Sequence, residues 1–145
     1  MINKDRLSER IKKNEGFSNK IYLDTLNNPT IGYGHLIKKG EKFVINKKYK
    51  KSFLSELFEK DLAVSIEEFN KIFNNQEFPK IINEVIIEML FQMGKKNFLT
   101  FKKFIKLIKK NNFKEASEEM IKSKWHEQTP KRARLLASLV EKKNE

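Results

Sequence analysis

Apolar positions recur at helical spacing along most of the chain, with one interruption between residues 17 and 46. Leu7 and Ile11 sit four apart in an otherwise charged segment. They predict a short amphipathic helix that ends at Glu15, with Gly16 as its stop. From Ser52 onward, Leu54, Phe58, Leu62, Ile66, Phe69 and Phe73 fall on one stripe, flanked by Leu57 and Ile72, which predicts a single long helix. Pro79 opens a different kind of helix. Ile81, Ile82, Val85, Ile86, Ile87, Met89, Leu90, Phe91 and Met93 cover almost every face, the pattern of a buried central helix, and Gly94 is its predicted end. Phe101, Phe104, Ile105 and Ile108 then mark an amphipathic, lysine-rich helix. Asn112 and Glu115 have the spacing of a capping-box variant ahead of Phe113, Ala116, Met120 and Ile121. Thr129-Pro130 reads as an N-cap and N1 proline, with Ala133, Leu136, Leu139 and Val140 inward on the last helix.

The interruption has a different period. Residues 20–24 predict a strand with Ile21 and Leu23 alternating, and Leu26-Asn27-Asn28-Pro29 is a turn cluster. Residues 30–37 read as a second strand and 43–45 as a third. The glycines between them suggest bends or close backbone approach. The expectation is a mainly helical α+β fold with a small antiparallel sheet. The N-terminal α/β lobe would span about 14–51 and an interlobe helix about 52–75. A C-terminal helical lobe at about 79–145 would include the N-terminal helix, with residues 1–145 forming one domain.

Composition narrows the function. The chain has 145 residues, no cysteine and a formal net charge of +12. Disulfide frameworks, thiolate metal sites and cysteine nucleophiles are excluded. The two histidines, His35 and His126, leave little for a histidine-based metal site, so no metal is expected. Twelve phenylalanines are too many for a disordered polyelectrolyte. The positive charge points to an anionic partner: nucleic acid, a membrane surface or bacterial cell wall. Part of the lysine excess also fits an AT-rich coding bias. No apolar stretch of signal-peptide type opens the chain and no run is long enough to span a bilayer, so synthesis in the cytoplasm and no stable membrane insertion are expected. The helix at 101–110 would disturb anionic membranes if its apolar stripe were exposed; the alternative is that the stripe belongs to the core.

The stretch from Glu15 to His35 carries the candidate chemistry. Glu15 falls in the last turn of the first helix, where the partial negative charge of the helix end favours a protonated carboxyl, as a general acid requires. Asp24 lies beside a turn, where solvent would keep it ionised, and a hairpin would bring the Thr30 hydroxyl back near it. An acid, a carboxylate base and a hydroxyl that holds water suit glycoside hydrolysis with inversion. Acid–turn–acid spacings are also common among ordinary surface carboxylates.

The same residues resemble the phage-type lysozyme family, the T-even phage lysozyme and its endolysin relatives. Glu15, Asp24 and Thr30 match the family's catalytic glutamate, aspartate and threonine, and Thr30-Ile31-Gly32-Tyr33-Gly34-His35-Leu36 follows its TIG-x-GHL block. Phe91-Gln92-Met93-Gly94 matches the end of the family's central helix. Ser123-Lys124-Trp125-His126-Glu127-Gln128-Thr129-Pro130-Lys131-Arg132-Ala133 matches its S-[RK]-W-x-x-Q-T-P-x-R-A signature.

The resemblance implies a lysozyme-like fold and a peptidoglycan hydrolase that cleaves the β-1,4 bond between N-acetylmuramic acid and N-acetylglucosamine. No cofactor is needed, and the enzyme would be monomeric. It would act on the wall in the periplasm after release from a host cytoplasm, with peptidoglycan rather than nucleic acid as partner. It also implies cleft positions at Leu36, Phe91 and Gln92, an Arg132 that pairs with the catalytic glutamate, and a structural His35–Asp61 pair. The segment after His35 is shorter than in T-even members. Glu119 and Phe104 replace a substrate-contacting asparagine and a serine. Two rivals carry different expectations. A lytic transglycosylase would use Glu15 alone, leaving Asp24 and Thr30 without a task; a basic nucleic-acid-binding module would bind in a strongly salt-dependent way.

Overall fold

A computed structural model of the chain describes residues 1–143. Among them are seven helices and one three-stranded antiparallel sheet, a mainly helical α+β fold. In chain order these are α1 (Lys4–Glu15), β1 (Ser18–Leu23), β2 (Pro29–Gly32), β3 (His35–Leu36), α2 (Lys51–Ile72), α3 (Lys80–Phe98), α4 (Lys102–Lys109), α5 (Phe113–Lys122), α6 (Lys124–Gln128) and α7 (Pro130–Lys142). The chain clusters into two compact units. A sheet unit comprises Ser8–Val64, and a helical unit comprises Met1–Leu7 with the chain from Ser65 onward. No helix among the described residues is long and apolar enough to cross a membrane.

In the sheet unit, Ile11 from α1, Ile31 from β2, and Leu54, Phe58 and Leu62 from α2 are buried. Tyr33 meets the edge of Phe58 at 5.6 Å, and the Lys12 ammonium lies 5.1 and 4.9 Å from the two ring centres. The strands run in the order β1-β2-β3, with Tyr22 opposite Thr30 and Ile31 opposite His35. The strand predicted over 30–37 is in fact a hairpin, β2 and β3, folded around Tyr33 and Gly34. Gly32 and Gly34, at φ +66° and +77°, supply the left-handed backbone that lets the chain reverse there. The strand predicted at 43–45 does not form. Only Phe43 turns inward, onto Tyr49 and Phe53, while Val44 and Ile45 are both exposed, so the alternation that builds a strand is absent. Leu23, one of the two alternating positions in the predicted strand, is 62% exposed, because the strand ends there and the turn to Asn28 begins.

In the helical unit, α3 is buried continuously from Ile81 to Leu90, nearly three turns, as its all-round apolar pattern requires. Its backbone breaks at Gly94 (φ +79°) and resumes for one turn to Phe98. Two of its buried residues are acids, Glu84 and Glu88, one turn apart. Each is matched by an arginine. Arg6 grips Glu84 with two hydrogen bonds of 2.8 and 2.7 Å, and Arg132 Nε donates to Glu88 at 2.9 Å. The charge pairs thus tie α3 to the start of α1 and to α7. Around α3, α5 packs on α4 and α7. The apolar stripe of α4 is core: Phe104, Leu107 and Ile108 are buried, with Phe104 edge-on to Phe98 at 6.2 Å. The predicted caps stand at the right positions without the predicted bonds. Asn112 precedes α5 and Thr129 precedes α7, yet neither side chain caps its helix; the Thr129 hydroxyl donates back to the Trp125 carbonyl at 3.2 Å.

Candidate active site

Glu15 ends α1 because Gly16, at φ +74°, turns the chain out of the helix into β1. Its carboxylate lies against the β2–β3 turn, and Gly34 is the residue it meets there. Asp24 follows the last residue of β1. Its Oδ1 accepts two backbone N–H groups of the turn, Leu26 at 2.9 Å and Asn28 at 2.8 Å. Its Oδ2 receives only a long bond of 3.4 Å from the Asn28 amide. One oxygen therefore fixes the carboxylate and the other is the more available. Thr30 sits one residue into β2 and is almost wholly buried. Its hydroxyl donates to the Asn28 carbonyl at 2.8 Å, which leaves the oxygen lone pairs as acceptors.

Tyr22 links these groups. It is the cross-strand partner of Thr30, and it lies two residues before Asp24 in extended chain, hence on the same face. Burial raises its phenol above the ordinary 10.0, and the Glu15 and Asp24 carboxylates raise it further. Both carboxylates thus act on one hydroxyl. Sequence reasoning missed Tyr22, although its period-2 relation to Asp24 was there to be read.

His35 lies outside this cluster and ties the sheet to α2. Its Nδ1 meets Asp61 Oδ2 at 2.8 Å, as the resemblance implied. Its Nε2 meets the Glu41 carboxylate at 3.0 and 3.1 Å, a second partner that the resemblance did not imply. Burial alone would lower the ring from 6.5; the bonds and charges of Asp61 and Glu41 more than reverse this and raise it. On Glu41, burial is likewise outweighed, by the Lys38 N–H and by His35, and its carboxyl falls below 4.5.

The remaining candidates divide between the units. Leu36, on β3, is 45% exposed. In the helical unit, Phe91 and Gln92 are half-buried on α3. The Gln92 carbonyl accepts from the Trp125 indole at 3.0 Å. Trp125 is buried edge-on to Phe101 at 6.3 Å, a packing residue at the rim of a cavity of about 290 Å³. Glu119, on that cavity's wall, lies 3.6 Å from Lys103 and 3.5 Å from Lys122. Arg132, expected beside the catalytic glutamate, has Glu88 as a partner within the helical unit.

Comparison with known proteins gives a consistent picture. A family model for phage lysozyme matches residues 12–145. "Probable T4-type lysozyme 1" of Dictyostelium discoideum is 36% identical over an alignment of 160 positions, covering 93% of this chain and 93% of that protein. "Probable T4-type lysozyme 2" of the same organism is 35% identical with the same coverage. The "Pre-baseplate central spike protein Gp5" of Enterobacteria phage T4 is 28% identical over 92% of this chain but only 27% of its own length.

Proposed function

The chain belongs to the phage lysozyme family, as a peptidoglycan-hydrolysing lysozyme, and we propose that Glu15, Asp24 and Thr30 carry out its chemistry. The bond cleaved is the β-1,4 link between N-acetylmuramic acid and N-acetylglucosamine. Glu15 protonates the departing glycosidic oxygen. Asp24, through Oδ2, takes a proton from a water that attacks the anomeric carbon from the opposite face, and the configuration inverts. The Thr30 hydroxyl spends its own hydrogen on Asn28, so it holds that water by accepting from it. The proton lost by Glu15 and the one gained by Asp24 balance across the turnover. The local geometry carries this reading: Thr30 lies opposite Tyr22 on the next strand, the Asp24 carboxylate is held by the turn between them, and the Glu15 carboxylate lies against the β2–β3 turn, with both carboxylates raising the Tyr22 phenol.

Leu36, Phe91 and Gln92 are proposed sugar contacts. With its carbonyl engaged by Trp125, Gln92 offers its NH2 group as a donor. The basic surface concentrates the enzyme on an anionic wall, an attraction that salt screens.

Turbidity loss of purified peptidoglycan is the test. Wild type clears the suspension and Glu15→Gln does not. The freshly released muramic acid reducing end is the α-anomer. A β-anomer would replace inversion by retention, and a 1,6-anhydro end would mean transglycosylation without water.

A further inference from the structure

The connection from β3 to α2, residues 37–50, takes no part in the Glu15–Asp24–Thr30 cluster. With Lys51 it carries seven lysines, at 38, 39, 42, 47, 48, 50 and 51, and a single acid, Glu41. All seven lysines are exposed, whereas the Glu41 carboxylate is turned onto the His35 ring and the Lys38 N–H. The outward charge of the segment is therefore cationic throughout. At its tip the Lys47 N–H closes a tight turn onto the Val44 carbonyl at 3.3 Å, with Asn46 at φ +67°. That turn holds out Val44, 57% exposed, and Ile45, 74% exposed.

The base of the tip is braced. Phe43 packs on Tyr49 at 5.3 Å and on Phe53 at 6.3 Å. The Tyr49 hydroxyl accepts from the Val44 N–H at 2.8 Å, and the Tyr49 N–H donates to the Asn19 carbonyl of β1 at 2.9 Å. The exposure of the aliphatic pair is thus built into an anchored turn.

We propose that this turn docks the protein on an anionic lipid surface. The lysines approach the phosphate headgroups, and Val44 and Ile45 enter the boundary between headgroups and acyl chains. The lysines alone would suit any polyanion. The apolar pair selects the lipid, because a wall polymer or a nucleic acid has no apolar interior in which to bury two aliphatic side chains, and a bilayer has. The association is peripheral and does not depend on hydrolysis, so it stands or falls apart from the catalytic reading.

The test is sedimentation of the full chain with vesicles of phosphatidylcholine, with and without phosphatidylglycerol, across a salt series. Wild type sediments with the anionic vesicles alone, and salt weakens the binding. Val44→Ser/Ile45→Ser keeps the wild-type melting curve and binds roughly tenfold or more weakly. Ile45→Trp gives a blue-shifted emission component on anionic vesicles, beyond the Trp125 signal. Equal binding by the double variant would overturn the proposal. So would wild-type binding to isolated wall but not to vesicles, which would assign the lysines to the wall polymer.

Discussion

A methyl group added to Gly34 would lie 2.5 Å from Glu15 Oε1 and 2.9 Å from its Cδ, so the β2–β3 turn and the end of α1 meet with only a hydrogen between backbone and carboxylate. The two nearest atoms are the far end of a flexible side chain, which can swing aside, while Glu15 Cβ, at 3.2 Å, must give by a few tenths of an ångström. Gly34→Ala should therefore lose only about 1–2 kcal/mol of stability, mostly from an L-residue at φ +77°. The displaced carboxylate would no longer stand where the proposed mechanism has it protonate the glycosidic oxygen, and misplacement of this size costs about a hundredfold in rate. Thermal melting beside wall clearing separates the two effects. A variant that melts lower yet clears at the wild-type rate would show that Glu15 need not occupy its observed position.

The Tyr22 phenol reports on the same cluster without any substrate. In a spectrophotometric titration, its transition is assigned by difference from Tyr22→Phe and lies above 10.0. Each neighbouring carboxylate disfavours the phenolate, so removing one makes ionisation easier. Glu15→Gln should bring the midpoint down, and Asp24→Asn should bring it down by less, in the order of their effects on the phenol. An unmoved midpoint in both variants would separate the carboxylates from Tyr22 and remove the main support for a joint site.

Local signals marked out the candidate site in the sequence, whereas distant pairings left no such mark. Leu7, Ile11 and Gly16 placed Glu15 at a helix end, and the turn residues at 26–29 placed Asp24 and Thr30 on either side of a reversal. The same alternation concealed the break at Tyr33-Gly34, since a hairpin and one long strand share a period of two. Glu84 and Glu88 were hidden for another reason. A helix apolar on every face reads as buried whatever two of its positions hold, and their arginine partners lie 78 and 44 residues away in sequence. Asn112 and Thr129 marked helix starts correctly because such residues tolerate the non-helical cap backbone, yet the side-chain bond is a separate event that spacing alone does not determine.

The His35 clamp makes stability depend on pH at both ends. His35 is raised in the folded chain, so its contribution is complete below the unfolded value of about 6.5 and is lost as pH rises through the folded value. Glu41 is lowered, so its contribution is present above 4.5 and is lost as pH falls through its folded value. The Asp61 and Glu41 side chains are 29% and 31% exposed, so solvent screening limits the gain. His35→Asn should cost about 2 kcal/mol near pH 6, with the difference from wild type shrinking on the alkaline side. Denaturant melts across pH measure it. A constant difference at all pH values would mean that packing of the ring, rather than its charge, holds β3 to α2.

Arg6 and Glu84 allow a sharper stability prediction, because Glu84 is fully buried while the Arg6 side chain is 35% exposed. Arg6→Ala removes the guanidinium bonds of 2.8 and 2.7 Å to Glu84, whose other contacts include the Asn3 N–H at 2.9 Å. A buried carboxylate that loses a guanidinium partner is strongly penalised, and the cost should be about 3 kcal/mol, toward the lower end for buried pairs because water reaches Arg6. Replacing both residues with apolar ones of similar volume, Arg6→Met with Glu84→Leu, removes the charge together with its partner. The double variant should recover most of the loss, since desolvating a pair offsets much of its attraction. Urea melts of the two variants decide the matter. If the double variant is as unstable as Arg6→Ala, the pair acts by directing the start of α1 onto α3 through bonds that apolar packing cannot replace.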